Sequence, residues 1–270
     1  MVLTPRQQRE IDYHRDHAAK MAADRLAPVN FDVIEEAKRR PSNAFWSTYD
    51  RILRHDLKGK RVLAPGCGFG EDAIRLARLG AEAVGTDISA DTLAVAQQRC
   101  AEFGYEGVSF VVTPCEAMSL SDASFDLVVL IDILHHVDIP VTLREISRVL
   151  KPGGRVIGDE LYTHSLLQKH VRESWLVDRA LYGVMKKFIY GDDSPYITDD
   201  ERKIDEKELA LIEAACIDFE CDWFNFLIGR LAPDRLPFAA EFDRAVMKAA
   251  GRARRMIAGR VVFEGVIGKT

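Results

Sequence analysis

The stretch that decides the fold is Val62-Leu63-Ala64-Pro65-Gly66-Cys67-Gly68-Phe69-Gly70. Apolar residues lead into three glycines at alternate positions, and a helical pattern follows over residues 71–79. Glycine reaches positive φ without steric cost and leaves the backbone bare, so a ligand can come close. The N–H groups that begin the following helix are unpaired and attract polar or anionic ligand groups. The stretch therefore predicts a strand, a ligand-binding turn and a helix.

A second strand pattern follows and ends on an acid. The run Ala83-Val84-Gly85-Thr86 leads directly to Asp87. A carboxylate at the end of a strand can accept hydrogen bonds from both hydroxyls of a ribose. The glycine loop, the helix, the second strand and the acid together predict a site for a cofactor that contains a nucleoside.

The glycine spacing distinguishes between such cofactors. A dinucleotide site has the pattern G-x-G-x-x-G, whereas this chain has G-x-G-x-G followed by Glu71. A carboxylate at that helix start would repel a pyrophosphate. It would not repel S-adenosylmethionine, which carries a sulfonium and an ammonium. A glycine loop considered alone is also consistent with a tight turn that binds nothing.

Five blocks stand in order between residues 61 and 160. They are Gly66-Cys67-Gly68-Phe69-Gly70, Gly85-Thr86-Asp87-Ile88-Ser89, Ser124-Phe125-Asp126-Leu127-Val128-Val129, Leu134-His135-His136-Val137 and Leu143-Arg144-Glu145-Ile146-Ser147-Arg148-Val149-Leu150-Lys151-Pro152-Gly153-Gly154. With these blocks the chain resembles the class I S-adenosylmethionine-dependent methyltransferases of the small-molecule type. The resemblance implies S-adenosylmethionine as cofactor. We expect cofactor contacts from Gly66, Cys67, Gly68, Gly70, Asp87, Ile88, Cys115, Glu116, Asp132 and Tyr13.

The chain departs from the family pattern at two positions. The family usually has an acid two residues before the first glycine, where this chain has Ala64. The family often has an aspartate after the third strand to meet the adenine amino group, where this chain has Thr113-Pro114-Cys115-Glu116. Glu116 or a backbone carbonyl must then accept the hydrogen bond from the adenine amino group. Either other contacts hold the cofactor, or this member uses it unusually.

The alternation of strand and helix patterns predicts a doubly wound, seven-stranded, mostly parallel sheet of Rossmann-like type with N-terminal helices. Strands are expected near residues 61–65, 82–87, 108–113, 125–131, 154–160, 217–226 and 260–267. Four parts are expected along the chain. They are a helical cover at 1–57, a cofactor-binding core at 58–160, a helical substrate-side insertion at 161–204 and the completion of the sheet at 205–270.

Composition agrees with a soluble enzyme. We expect the protein to be cytoplasmic, to bind a small-molecule substrate and to be a monomer or homodimer. The 270 residues include 47% hydrophobic ones, enough for a full core, and the net charge of −5 gives no support for nucleic-acid binding. The five cysteines show no metal-binding spacing. No run of about 18 apolar residues predicts a membrane span, and the charged N-terminus does not resemble a signal peptide. We expect no metal.

Methyl transfer requires the acceptor, the methyl group and the sulfur to be held in line, and some acceptors also need a base. Ligands of such sheets lie at the carboxyl ends of the strands. We therefore name His136, Glu160 and His135 as candidate bases, with Asp132 and Asp159 nearby. Each candidate also has a non-catalytic alternative. The histidine pair could shape the cofactor pocket, and Glu160 could face solvent. On the first helix, the side chains that could close over the site are Tyr13, His14 and His17.

Two further patterns leave alternatives open. Aromatic residues in 162–196 could form either the wall of a substrate pocket or the insertion's own hydrophobic core. A basic stretch from Arg244 to Arg260 could contact nucleic acid, an anionic substrate or a membrane surface, but a solvated helix face is the favoured interpretation. The sequence thus favours a methyltransferase that acts on a secondary metabolite, a lipid or a quinone-like compound. The alternatives are a same-fold enzyme with other chemistry, a non-catalytic binding protein and an RNA methyltransferase.

Overall fold

The computed structural model describes residues 4–23, 26–35, 43–167, 203–226 and 237–268. Most of the predicted insertion at 161–204 therefore lies outside the described residues. None of the described helices is long and apolar enough to cross a membrane.

Seven strands form one sheet in the order β3-β2-β1-β4-β5-β7-β6. Strands β1 to β5 are parallel, and β7 runs antiparallel to both of its neighbours. This arrangement confirms the predicted fold class. The strands are β1 (Arg61–Pro65), β2 (Glu82–Asp87), β3 (Val108–Val112), β4 (Phe125–Ile131), β5 (Leu150–Leu161), β6 (Cys216–Phe224) and β7 (Arg260–Ile267).

Strand β5 begins four residues earlier than the sequence predicted. Phe125 of β4 pairs with Leu150, and Leu127 pairs with Arg155. Between these pairs β5 has the four residues 151–154 where β4 has one. The Lys-Pro-Gly-Gly sequence therefore forms an irregularity inside the strand rather than a separate turn, and Gly153 supplies the positive φ of 77°.

The helices are α1 (Pro5–Ala23), α2 (Ala44–Ile52), α3 (Glu71–Arg78), α4 (Ala90–Phe103), α5 (Ile139–Val149), α6 (Ser165–Leu167), α7 (Glu206–Ala215), α8 (Pro237–Ala249) and α9 (Arg254–Ile257). The ends of α4 show why these sequences form helices. The Ser89 hydroxyl accepts a hydrogen bond from Thr92 N at 3.3 Å. Gly104 closes the helix with a φ of 67°. Both ends of α4 are therefore set by residues of its local sequence.

The sheet is buried on both faces, because its central strands send alternate apolar side chains to two core clusters. Val128 and Leu130 of β4 belong to one cluster, and Leu127 and Val129 belong to the other. Burial on both faces holds the central strands in place. It leaves their carboxyl ends as the place where functional residues emerge.

Candidate cofactor and active site

A cleft lies at the carboxyl ends of β1, β2 and β4 and holds about 720 Å³ of space, part of it open to solvent. A volume of several hundred cubic ångströms suits a small-molecule ligand. The structure brings eight of the predicted site residues to its wall. They are Gly66, Gly68, Asp87, Ile88, Cys115, Glu116, Asp132 and His136. Five others do not line it, namely Cys67, Gly70, Tyr13, His135 and Glu160.

The three glycines of the loop between β1 and α3 all have positive φ, but their surroundings differ. A Cβ atom at Gly66 would overlap the side chain of Ile133. A Cβ atom at Gly70 would lie 2.9 Å from Ala96 and from the Phe110 ring. At Gly68 a Cβ atom would meet nothing within 4 Å. The bare backbone at Gly68 therefore leaves space in the cleft itself.

Asp87 ends β2 beneath this loop and is 6% exposed. Its Oδ2 atom accepts a hydrogen bond from Gly68 N at 3.0 Å, and its Oδ1 atom accepts one from Ser89 N at 2.9 Å. Burial raises the pKa of this carboxyl, although the backbone donors oppose the shift. A carboxylate can accept about four hydrogen bonds, so Asp87 keeps acceptor capacity for a ligand hydroxyl. Asp87 thus fixes the glycine loop and lines the cleft at the same time.

The cleft is acidic. Four of the described residues that line it are Glu10, Asp87, Glu116 and Asp132. The described lining also contains the histidines His14 and His136, but it contains no lysine or arginine. Charge complementarity therefore favours a ligand that carries positive charge.

Helix α1 crosses the mouth of the cleft. Arg6 Nη2 lies 2.6 Å from Glu116 Oε1. One turn later, Glu10 Oε1 lies 3.2 Å from His136 Nδ1. Tyr13 does not line the cleft, and its ring packs edge-on against His14. The cofactor contact expected from Tyr13 stays a prediction. The side chain of His17 lies outside the described residues.

His135 and Glu160 form a buried pair beneath the cleft, at 4% and 0% exposure. Glu160 Oε2 lies 2.7 Å from His135 Nδ1, and Glu160 Oε1 accepts a hydrogen bond from Leu134 N at 2.8 Å. Glu160 does not face solvent, because β5 continues to Leu161 and the carboxylate is buried in the interior. The pair holds the short 3₁₀ turn Leu134–His136, and from this turn His136 reaches the cleft.

A guanidinium between two carboxylates adjoins this pair. Arg260 Nε donates to Asp159 Oδ1 at 2.6 Å, and Arg260 Nη2 donates to Asp132 Oδ1. Burial raises the pKa of Asp159 to about 6, despite the opposing charge of Arg260. Arg260 is therefore not part of a solvated helix face, as the basic stretch in the sequence suggested; it begins strand β7. No local signal could have shown this, because its role depends on the pairing of β5 with the distant strand β7.

Asp132, His135 and Glu160 also offer metal-ligand atoms that lie within 4.8 Å of one another. The guanidinium of Arg260 already supplies a positive charge at Asp132, and the buried His135 and Glu160 are bonded to each other. A metal ion would have to displace all of these contacts. We therefore assign no metal to the group.

The sheet order and the position of the cleft define the class I methyltransferase fold. A geranyl diphosphate C-methyltransferase from Streptomyces coelicolor A3(2) has this fold, with a TM-score of 0.58 at 14% identity over 99% of this chain and 100% of that one. Its structure was solved with Mg2+, geranyl diphosphate and S-adenosyl-L-homocysteine.

Sequence comparisons agree with the fold. Residues 63–158 match the model of a methyltransferase domain family. The methyltransferase GfsG of Streptomyces halstedii is 35% identical over 132 residues, which cover 48% of this chain and 46% of that protein. A ubiquinone biosynthesis O-methyltransferase of Paracidovorax citrulli is 39% identical over 102 residues, which cover 37% and 43% of the two chains.

The match of residues 63–158 to the methyltransferase domain family confirms, over this region, the resemblance seen in the sequence. The chain spans about half the length of the curated relatives that it matches.

Proposed function

We propose that the protein is an S-adenosylmethionine-dependent methyltransferase that acts on a small molecule. The observation that carries the proposal is the acidic cleft with the open backbone of Gly68 and the carboxylate of Asp87 at its wall. S-adenosylmethionine has a sulfonium and an ammonium against a single carboxylate. Its net positive charge suits a cleft with four acids and no basic side chain other than histidine among its described lining residues.

The proposed orientation follows from the strand ends. The ribose hydroxyls bind Asp87, and the adenine extends toward Pro114 and Glu116. The amino-acid end of the cofactor lies along the backbone of Gly66 and Gly68. The sulfonium then faces the turn after β4.

His136 is the proposed base for acceptors that must lose a proton. It is the only one of the three predicted bases that lines the cleft, and a neutral imidazole can take a proton near neutral pH. His135 and Glu160 act through their buried pair, which positions the turn that carries His136. Acceptors that need no base would depend on alignment alone.

The acceptor is proposed to be a secondary metabolite, a lipid or a quinone-like compound. The names of the relatives support this range, since one of them serves ubiquinone biosynthesis. The predicted insertion at 161–204 would form the acceptor side, and the four-part division of the chain is proposed on the same basis.

The experiment is to express the parent and Gly68→Val in cells fed methionine with a labelled methyl group. Gly104→Val is the matched control, because Gly104 also has positive φ and open space but lies at the end of α4. A labelled small molecule should appear with the parent and the control and be absent with Gly68→Val. Purified parent that binds S-adenosylmethionine without any label transfer would favour the alternatives, other chemistry with the same cofactor or a binding protein.

A further inference from the structure

We propose that an exposed surface of helices α8 and α9 binds a membrane that contains anionic lipids. The proposal goes beyond the methyltransferase function and does not depend on it. This α8–α9 surface includes the exposed side chains of the two helices and of the short turn Gly251–Ala253 between them. Its apolar members are Phe238, Phe242, Ala245, Ala249 and Met256, and its cations are Arg244, Lys248, Arg252, Arg254 and Arg255.

The apolar part of the surface is a stripe along α8. Phe238 is 70% exposed and Phe242 is 55% exposed. Ala245 and Ala249 continue the stripe at helical spacing, so the four side chains lie on one side of the helix. Met247, on the opposite side of the helix, is buried in the core. Large apolar side chains left exposed in one row are typical of a surface that binds a partner.

The cations give the surface a charge opposite to that of the whole chain, whose net charge is −5. Residues 244–255 contain no acid, and the five cations of the surface are all exposed. None of the five forms an ion pair with a described residue. The exposed acid of α8 is Glu241, and two acids of α7, Glu206 and Glu213, line a groove beside α9. The surface therefore keeps an excess of positive charge.

The surface lies at the end of the sheet that holds the cofactor cleft. Arg260 follows α9 and begins β7, and its guanidinium contacts Asp132 of the cleft wall. The guanidinium of Arg255 lies over the Trp223 ring, 5.7 Å from its centroid, and so joins α9 to the end of β6. A membrane bound at the surface would therefore bring lipid-soluble acceptors close to the cleft.

An anionic membrane matches both parts of the surface. Exposed phenylalanines of an interfacial helix enter the boundary between lipid head groups and acyl chains, and flanking cations attract the anionic head groups. A second copy of the chain fits less well, because a symmetric contact would bring the cations of both copies together. A nucleic acid would attract the cations but would leave the row of phenylalanine and alanine side chains in water.

The first test is sedimentation with vesicles of phosphatidylcholine alone or mixed equally with phosphatidylglycerol. The parent should bind the mixed vesicles much more tightly than the neutral ones, and added salt should weaken the binding. Arg244→Gln/Lys248→Gln should weaken it by about tenfold or more, because two cations near the anionic lipids are lost. The matched control is Lys58→Gln/Lys60→Gln, which removes two exposed cations from the turn before β1. It should change binding by less than about twofold, since these cations lie far from the surface.

The second test removes an apolar side chain. Phe242→Ser should weaken binding to the mixed vesicles by about fivefold or more, because the ring no longer enters the lipid. Val112→Ser is the control, because Val112 is 53% exposed, much like Phe242, but lies in β3 at the far edge of the sheet from β6. It should leave binding unchanged. Circular dichroism of all variants should match the parent, since every substituted side chain is exposed.

The proposal is overturned if the parent does not bind the mixed vesicles, or if the control pair weakens binding as much as Arg244→Gln/Lys248→Gln. Vesicle binding that Phe242→Ser leaves unchanged would also overturn it, because charge alone would then account for the contact. A parent that binds a single-stranded RNA oligonucleotide but no vesicles would identify a nucleic-acid surface instead. A dimer that Phe242→Ser dissociates, in a parent that binds no vesicles, would identify a second copy of the chain as the partner.

Discussion

At the scale of single residues, the glycine loop separates packing from binding. Neighbouring side chains leave no room for a Cβ atom at Gly66 or Gly70, whereas Gly68 keeps open the space in which a ligand would lie. Asp87 contributes to both packing and binding, because it accepts a hydrogen bond from the Gly68 amide and lines the same cleft.

Gly68→Ala should therefore weaken ligand binding with little effect on the fold. Gly68 and Gly104 both have positive φ and open space around an added Cβ, so alanine at either position should cost about 1–2 kcal/mol of stability. Calorimetry with S-adenosylhomocysteine should show lower affinity for Gly68→Ala and parent affinity for Gly104→Ala. Equal affinities of the two variants would mean that the ligand does not approach Gly68.

Asp159 gives a pH-dependent stability prediction. Its pKa in the folded protein is about 6, above the ordinary value of 3.8. Between these pH values the folded protein holds a proton that the unfolded chain has lost, so this group lowers the free energy of unfolding as pH rises. Asp159→Asn removes that slope.

Urea titrations of the parent and Asp159→Asn at pH 4.5 and pH 7 measure the slope as a difference. The free energy of unfolding of the variant, measured relative to the parent, should be higher at pH 7 than at pH 4.5, by at most about 3 kcal/mol. Only the change between the two pH values is compared, because the substitution also alters the contact with Arg260. A difference that is the same at both pH values would contradict the prediction.

The sequence predicts that a residue lies at the cleft when that residue follows a strand pattern within a few positions. Asp87 and Gly68 belong to local motifs, and both lie at the cleft. Glu160 could not be placed, because the continuation of β5 that buries it depends on pairing with β7. The role of Arg260 rests on the same long-range pairing.

At the scale of elements, α1 and α2 differ although both lie in the predicted cover at 1–57. Helix α2 buries Tyr49 and Ile52 in the core. Helix α1 is held mainly by polar contacts, Arg6 with Glu116 at the cleft and Arg15 with Asp91 of α4. Of its described side chains, it buries only Ala18 in an apolar cluster, a small one with Val95. Exposed ion pairs contribute about 0–1 kcal/mol each. The division of the chain itself stays a prediction.

Helix α1 should therefore gain order when the ligand binds. Amide exchange across α1 is expected to slow on addition of S-adenosylhomocysteine, because the ligand joins the helix to the cleft wall. The amides of α2, which is packed in the core, provide the internal control and should change little. Unchanged exchange in α1 with saturating ligand would show that the helix does not respond to the cofactor.

At the scale of the whole molecule, the sheet was the most predictable part. Doubly buried parallel strands appear in the sequence as short apolar runs between helical patterns, and all seven predicted strands are present. The irregularity at residues 151–154 was missed, because proline and glycine favour a turn as much as a bulge. The acidic character of the cleft was also not predictable, since Glu10 and Glu116 come together only in the folded chain.

If the cleft binds S-adenosylmethionine through Asp87, calorimetry with this cofactor should distinguish Asp87→Ala from the parent. Asp56→Ala is the matched control, because Asp56 accepts from the amide two residues on, as Asp87 does, but lies outside the cleft. The parent and Asp56→Ala should bind alike, and Asp87→Ala should lose roughly 1–3 kcal/mol of binding free energy. Failure of the parent to bind, or equal binding by Asp87→Ala, would contradict binding of the cofactor through Asp87.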